Sequence, residues 1–391
     1  ITAITLAGTT GAIVDQNTVK QDFDNWWRKP ELAVGTGPFK MTALVSGQSV
    51  DFEAVSNWWG SPKPTLKKVH LEVIKSAQSA IAKYEQGGFD VYGYGGYSNA
   101  PVSEIRRIQN TSNEKSQLLL HRKVRSYWVS FNMVSDAKRA AKGPFVDNNC
   151  PCPSGPAHDL RLAFALAIDK AKLAQIVCQN IVCEPLTGGL ILKGLKGYGG
   201  DNTDPLAKFD AAKAKQLLQS ADPTGAKTKG LVYAYDPENP LNAATATNLQ
   251  DQWQTNLGVR VEVQPVSHSQ FIKSRLKGGY VLSRDGWQAD YDHPQDWFDN
   301  LWGSTVGCPD AGCTSGYVTK EYDDLLKKAD SEPMSQALND YKQLTQMLQR
   351  DVVYIPLYGS IGAFLIKPYV QGASSNNFFD TYWKLIKIGQ H

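Results

Sequence analysis

Between Leu231 and Arg284 short apolar runs alternate with helical periods, and that alternation restricts the folds open to the chain. Leu231-Val-Tyr-Ala-Tyr235 reads as a strand, Asn242 to Leu257 as a helix, and Val259-Arg-Val-Glu-Val-Gln-Pro-Val266 as a second strand. Two strands joined by such a helix suit a parallel pair with a right-handed crossover. A further helix, Ser269 to Leu276, leads into the strand Tyr280-Val-Leu-Ser-Arg284. The expected core is therefore an α/β sheet with a strand ending near Arg284, and in open α/β sheets ligands collect outside the carboxyl ends of the strands.

The residues at that end have an unusual composition. Residues 284–302 hold five aspartates and five large aromatics. Rings exclude water, and a carboxylate gains strength as the local dielectric falls, so the segment suits a cationic or amide-rich ligand. A local reading exists for each residue. Trp287 also fits a core tryptophan, Asp290 a turn cap before Pro294, and Arg275 and Arg284 ordinary solvated cations. Trp297, Phe298 and Trp302 fall at helical spacing and read as core.

At 391 residues the chain is long for one core and suggests two lobes. Its hydrophobic share of 42% and charged share of 20% describe a globular protein rather than a disordered one. A formal charge of +3, with cations scattered among acids, gives no basic stripe for nucleic acid or a membrane surface. No apolar run has the length of a membrane-spanning helix, and the opening Ile1-Thr-Ala-Ile-Thr-Leu-Ala-Gly8 lacks a signal-peptide pattern; it reads as the middle of a domain. Six cysteines form three close sequence pairs, Cys150/Cys152, Cys178/Cys183 and Cys308/Cys313, which favours disulfides and an oxidising compartment while leaving connectivity open. Cys150-Pro-Cys152 with His158 is the nearest approach to a zinc site and lacks its spacing.

Elsewhere, alternation in Val50, Phe52 and Ala54 predicts a hairpin of Gly37–Val45 with Ser49–Val55, and Lys68 to Ile74 reads as a further strand. A helix over Ala77–Gln86 and a strand over Phe89–Tyr92 follow. Tyr127 to Asn132 reads as a buried strand, with Tyr127 and Trp128 placed at a hinge, and the Gly- and Tyr-rich run Gly87 to Tyr97 could line a cleft. Asp159 is expected to cap a helix over Leu160–Ile168 and Asp169 one over Ala171–Gln179. Phe209 to Ser220 is amphipathic, helices start near Glu321 and Met334, and strands close the chain at Ile355–Leu357 and Ala363–Ile366.

Several segments resemble, in order, those of the family 5 extracellular solute-binding proteins, the receptors of peptide-type ABC importers. They are Gly35-Thr-Gly-Pro-Phe39, Asn57-Trp-Trp-Gly60 with Pro64, Phe131-Asn132 with Gly143-Pro-Phe145, Arg161 to Asp169, Asn256 to Val263, Gly286-Trp-Gln-Ala-Asp-Tyr291, and Ile355-Pro-Leu357. The resemblance implies an α/β, two-lobed periplasmic-binding-protein-like fold (type II, cluster C) with a hinge. Residues 1–128 would be an incomplete first lobe, 129–358 the second, and 359–391 a return to the first. It also implies a long upstream stretch not present in this sequence.

In the peptide-binding branch the aspartate of this motif, here Asp290, resembles the partner of the peptide's α-ammonium. The resemblance implies that the backbone of Gly286 to Gln288 pairs with an extended peptide like an added strand, with Trp287 as a wall and Tyr291 as a neighbour. Arg284 and Arg275 match basic positions facing the ligand's carboxylate end, where a guanidinium fork donates two parallel bonds. The protein would be a non-enzymatic monomeric receptor without cofactor, metal or nucleic-acid partner. It would lie outside the cytoplasmic membrane or in the periplasm, lipid-anchored through its upstream segment, and deliver a short peptide to an ABC permease. The same fold could instead serve an oligosaccharide, a nickel chelate or an opine.

A secreted hydrolase is the rival from another class. The chain contains no Gly-x-Ser-x-Gly and no His-Glu-x-x-His, and Gly225-Ala-Lys-Thr-Lys-Gly230 lacks phosphate-loop spacing. Calcium on Asp290, Asp292 and Asp296 would depart from the calcium-loop pattern.

Overall fold

Val50, Phe52 and Ala54 put one face of a strand under cover, and the expected hairpin forms around them. In the computed structural model, β1 (Phe39–Val45) pairs antiparallel with β2 (Ser49–Ala54), and β3 (Lys68–Glu72) adds to β2. The structure describes residues 14–93, 100–111, 113–133, 143–146, 153–306, 314–373 and 383–391. Cys150, Cys152, Cys308, Cys313 and the tip of the Gly87–Tyr97 run lie outside the described residues.

The chain divides into two compact units, residues 1–123 with 362–391, and residues 124–361. In the first, Ser76 caps the helix Ala77–Glu85 by accepting from the Ser79 N–H at 3.2 Å, and β4 (Val91–Tyr92) follows. A helix over Val102–Asn110 buries Ile105 and Ile108, and Ile81, Tyr84 and Ile108 form a core with Leu365. Trp58 of the Asn57-Trp-Trp-Gly60 segment donates its indole N–H to the Thr36 carbonyl at 2.8 Å, and its ring leaves no room for a Cβ at Gly60. That motif is a structural clasp.

The strand expected at Tyr127–Asn132 is the end of a longer one, β5 (Leu118–Phe131), within which the chain enters the second unit. The next helix runs Pro156–Leu166, so Asp159 lies in its first turn and is not its cap. Proline at the first helical position, with φ preset and no N–H to satisfy, starts the helix earlier than Asp159 would. Asp169 does cap Lys170–Cys178, accepting from the Lys172 N–H at 2.9 Å. Cys178 is disulfide-bonded to Cys183, at the start of β6 (Cys183–Pro185). Asp210 caps Ala211–Ala221, which leaves Phe209 outside the helix and exposed, a correction to its expected place on the apolar face.

β7 (Val232–Tyr235), the helix Pro240–Leu257 and β8 (Glu262–Pro265) give the expected parallel pair. Asn239 caps this helix, and Gly258 ends it at φ 76°, where an L side chain would be strained. After the helix His268–Arg275 comes β9 (Leu282–Gln288), parallel to β7 at Leu282 and Ser283 and antiparallel to β5 along its whole length. Strand structure therefore continues four residues past Arg284, where the sequence suggested it would stop. Helices Gln295–Leu301, Lys320–Ser331 and Met334–Arg350 precede β10 (Tyr354–Ile366), one strand where two short ones were expected.

In the second unit β10, β5, β9, β7 and β8 lie side by side in that order, with β6 on β10. Its core contains a chain of rings, Phe131, Phe145, Phe164, Trp253 and Tyr233, with successive centroids 4.8, 5.4, 5.3 and 6.1 Å apart. The remainder of β10 returns to the first unit, where Leu365 and Ile366 pair with β4. β4 thus belongs to a different sheet from β3, although the two flank one helix. There β11 (Val370–Gln371) pairs with β12 (Lys387–Ile388). No helix among the described residues is long and apolar enough to cross a membrane.

Candidate ligand-binding site

Strand pleat decides what β9 can show a ligand. Successive side chains alternate between faces, and residues opposite each other on paired strands share a face. Gly286 lies opposite Tyr127, Arg284 opposite Val129 and Gln288 opposite Arg125. These six residues form one face. Asp285, opposite Trp128, and Trp287, opposite Ser126, point the other way.

On the first face the Arg284 guanidinium lies 4.9 Å from the centroid of the Tyr127 ring, and its Nη1 is 3.4 Å from Asp236 Oδ2. Arg125 Nη1 reaches the Tyr127 hydroxyl at 3.4 Å. The two cations pull the Tyr127 phenol below its usual pKa against the opposing effect of burial. Gly286 is required here: a Cβ would stand 2.9 Å from both the Ser126 carbonyl and the Tyr127 ring.

On the opposite face Asp285 is buried and accepts four bonds. Its donors are Ser130 Oγ at 2.8 Å, the Gly286 N–H at 2.8 Å, Thr314 Oγ1 and Arg275 Nη1. The two arginines that the sequence reading placed together at a carboxylate end therefore sit on opposite faces of β9, each against an internal aspartate.

Backbone hydrogen bonding alternates along β9 in the same way. The Ala289 N–H donates to the Val124 carbonyl at 2.8 Å and the Asn132 N–H to the Val281 carbonyl at 2.9 Å. Odd-numbered residues thus turn their amides toward β5, and Arg284, Gly286 and Gln288 turn theirs toward the β7 edge. β7 pairs with β9 only at Leu282 and Ser283 among the described residues. Asp285 already takes the Gly286 N–H, so the edge left beyond β7 centres on Gln288 and the Gly286 carbonyl.

Past β9 the chain turns through Asp290-Tyr-Asp-His-Pro294, and Asp296 fixes that turn. Its buried Oδ2 accepts the Asp290 N–H at 2.8 Å and the Trp287 indole N–H at 3.1 Å. Burial raises the Asp296 pKa to about 7, with these donors opposing the shift. Asp292 accepts the Lys196 N–H at 2.7 Å, and His293 Nδ1 accepts the Gln295 N–H at 3.1 Å. Burial also lowers the His293 pKa and raises that of half-buried Tyr291.

Asp290 itself is exposed, and among the described residues none donates to its carboxylate. Partial burial of that carboxyl raises its pKa. The turn-capping work that local reasoning offered to Asp290 belongs to Asp296, which leaves the Asp290 side chain available. Trp297, Phe298 and Trp302 are buried, in the core role expected of them. No group of three or more His, Cys, Asp or Glu among the described residues is arranged to hold a metal.

Sequence reasoning missed Asp236 and Asp285, and it weighed Asp296 only as a calcium ligand and not as the anchor of the turn. The signal for Asp285 was present: in an alternating strand it shares a face with Ser283 and Trp287, where an acid is buried only if something satisfies its charge. The signals for Asp236 and Asp296 required knowing which chain segments meet.

The bacterial extracellular solute-binding proteins, family 5, match over residues 3–307, and the chain belongs to this family. The periplasmic murein peptide-binding protein MppA of Escherichia coli is 24% identical over 380 residues, covering 93% of this chain and 63% of that protein. The periplasmic oligopeptide-binding protein OppA of Salmonella typhimurium is 23% identical over 386 residues, covering 95% and 64%. The chain thus spans less than two thirds of the length of these relatives. The solved structure of the Escherichia coli murein tripeptide binding protein MppA matches with a TM-score of 0.77 at 21% identity, over 98% of this chain and 70% of that one. The fold is the mixed α/β fold of the periplasmic peptide-binding proteins.

Proposed function

We propose that the chain is part of a receptor that captures short peptides outside the cytoplasmic membrane and delivers them to an ABC permease. The observation that carries this reading is Asp290: an exposed carboxylate, without a protein donor among the described residues, on a turn held by another acid. A free α-ammonium is the complementary group, and the pair forms charge-assisted hydrogen bonds. The open edge of β9 at Gly286 and Gln288 would add amide pairing that is indifferent to side-chain sequence. Trp287 and Tyr291 would supply adjoining wall. The peptide-binding relatives of similar fold support the same ligand class.

In this reading the two units are the lobes of a hinged receptor. Contacts present only in the closed state shift its population by their differential affinity. A lipid anchor in an upstream segment fits the reading and is testable only on the full protein.

Native mass spectrometry of the protein purified from its expression host tests the ligand class. A retained mass matching short peptides is the expected result. A hexose series would replace the peptide reading with an oligosaccharide one, and cleavage of an added peptide library would mark a hydrolase.

A further inference from the structure

The face of β9 that carries Gly286 and Gln288 holds two arginines, and only one of them has an acid close by. Arg284 Nη1 lies 3.4 Å from Asp236 Oδ2. Arg125, opposite Gln288 on β5, has no such partner: among the described residues its guanidinium makes one hydrogen bond, a long one of 3.4 Å from Nη1 to the Tyr127 hydroxyl, and no ion pair. The Nε atoms of Arg275 and Arg284 are buried, whereas the guanidinium of half-buried Arg125 keeps contact with solvent. The surplus charge acts on the ring between the two cations. Burial raises the Tyr127 phenol pKa, yet Arg125 and Arg284 together bring it below its usual value.

Register brings Arg125 to the proposed peptide track. Odd-numbered residues of β9 share amide bonds with β5, so Arg125 and Gln288 form a non-hydrogen-bonded pair, the kind whose side chains approach most closely. A peptide strand added along the far edge of β9 lies two strand spacings from β5, roughly 9.5 Å. An arginine and an acidic side chain reaching toward each other over one face span that gap, and at Gly286 no side chain stands between. With the ligand ammonium at Asp290, two residues beyond Gln288, the first residues of the peptide run beside Gln288. Further chain carries the terminal carboxylate away, so the carboxylate within reach of Arg125 is that of a side chain.

We infer that Arg125 is a specificity-determining residue that pairs with an acidic side chain on one of the first three residues of the ligand, so that this receptor favours peptides carrying aspartate or glutamate near the amino end. This rests on the peptide reading above. A guanidinium with its donors unclaimed takes a carboxylate through two parallel bonds, and the half-buried position shields that pair from water more than an open surface does. The Tyr127 hydroxyl steadies the guanidinium from one side without neutralising it.

The test is isothermal titration of the full protein with C-terminally amidated pentapeptides that carry glutamate or glutamine at the first, second or third residue in turn, together with the all-glutamine peptide as its free acid. The expected result is a preference for glutamate over glutamine of about tenfold at one of those positions. In Arg125→Gln that ratio should fall below about threefold, and in Arg125→Lys it should be partly retained, because a point charge remains without the fork. A merely structural role for Arg125 would weaken both peptides of a pair alike and leave their ratio unchanged, which overturns the inference. So does a ratio below about threefold at all three positions in the unmodified protein, a measurement that needs no variant to fold. A preference confined to the free acid over its amide, and lost in Arg125→Gln, would give Arg125 a terminal carboxylate and overturn the side-chain assignment. Absence of binding by every peptide overturns the peptide reading itself.

Discussion

Replacing Asp296 by Asn should change how stability depends on pH, by an amount that follows from its surroundings. The carboxyl is buried, takes the Trp287 indole and Asp290 amide protons, and titrates near pH 7 in the folded protein against about 3.8 in the unfolded chain. Because the folded pKa is the higher one, the folded state binds the proton more tightly. Its stabilising contribution is complete below the unfolded value and is lost as pH rises through the folded value. The full difference corresponds to about 4 kcal/mol. Residual solvent around the carboxyl screens part of it, so a loss of about 2 kcal/mol between pH 4.5 and pH 8 is the expected share. Asparagine preserves an acceptor for both donors and does not titrate. Urea denaturation of the native protein and Asp296→Asn at a series of pH values gives the difference directly, and other titrating groups cancel in it. The variant should gain about 2 kcal/mol relative to the native protein over this range. A difference that stays level with pH would refute the assignment of Asp296 as a proton-holding anchor of the Asp290 turn.

Two further substitutions probe the frame of the site. Trp253→Ala removes a fully buried ring that packs between Phe164 and Tyr233 and should cost about 3–5 kcal/mol in chemical denaturation; a cost below 1 kcal/mol would show that the helix Pro240–Leu257 is not anchored there. Gly286→Ala places a methyl 2.9 Å from the Ser126 carbonyl and the Tyr127 ring and should cost about 1–3 kcal/mol of stability by thermal melting, with weakened peptide binding as the strand shifts. An unchanged melt would mean that the Tyr127 ring moves aside freely.

Two strands were legible for different reasons: Leu231 to Tyr235 is a nearly continuous apolar run, as a strand buried on both faces requires, whereas Val259 to Val266 alternates valine with polar residues and forms a strand at the end of the sheet order. Asp169 and Asp210 announce their helices by local chemistry alone, each accepting an amide three residues on. The end of β9 was illegible for the opposite reason. Arg284, Asp285 and Gly286 look like a turn, and only pairing with β5, more than a hundred residues earlier, makes them a strand. The helix Val102–Asn110 carries a readable signal in the spacing of Val102, Ile105 and Ile108. At the site, the motif pointed to Asp290 and its turn, while the commitment of Arg275 and Arg284 depended on partners that neither periodicity nor composition reveals. Residue type suggested two free cations, and tertiary contact supplied two ion pairs.

The central claim is that Asp290 receives a ligand ammonium, and calorimetric titration of Asp290→Asn against a peptide bound by the native protein measures it most directly. Loss of one charge-assisted hydrogen bond predicts weakening by about 1.5–3 kcal/mol for the free-amine peptide, with little change for its N-acetylated counterpart. Equal affinities of the native and substituted proteins for the free-amine peptide would contradict it.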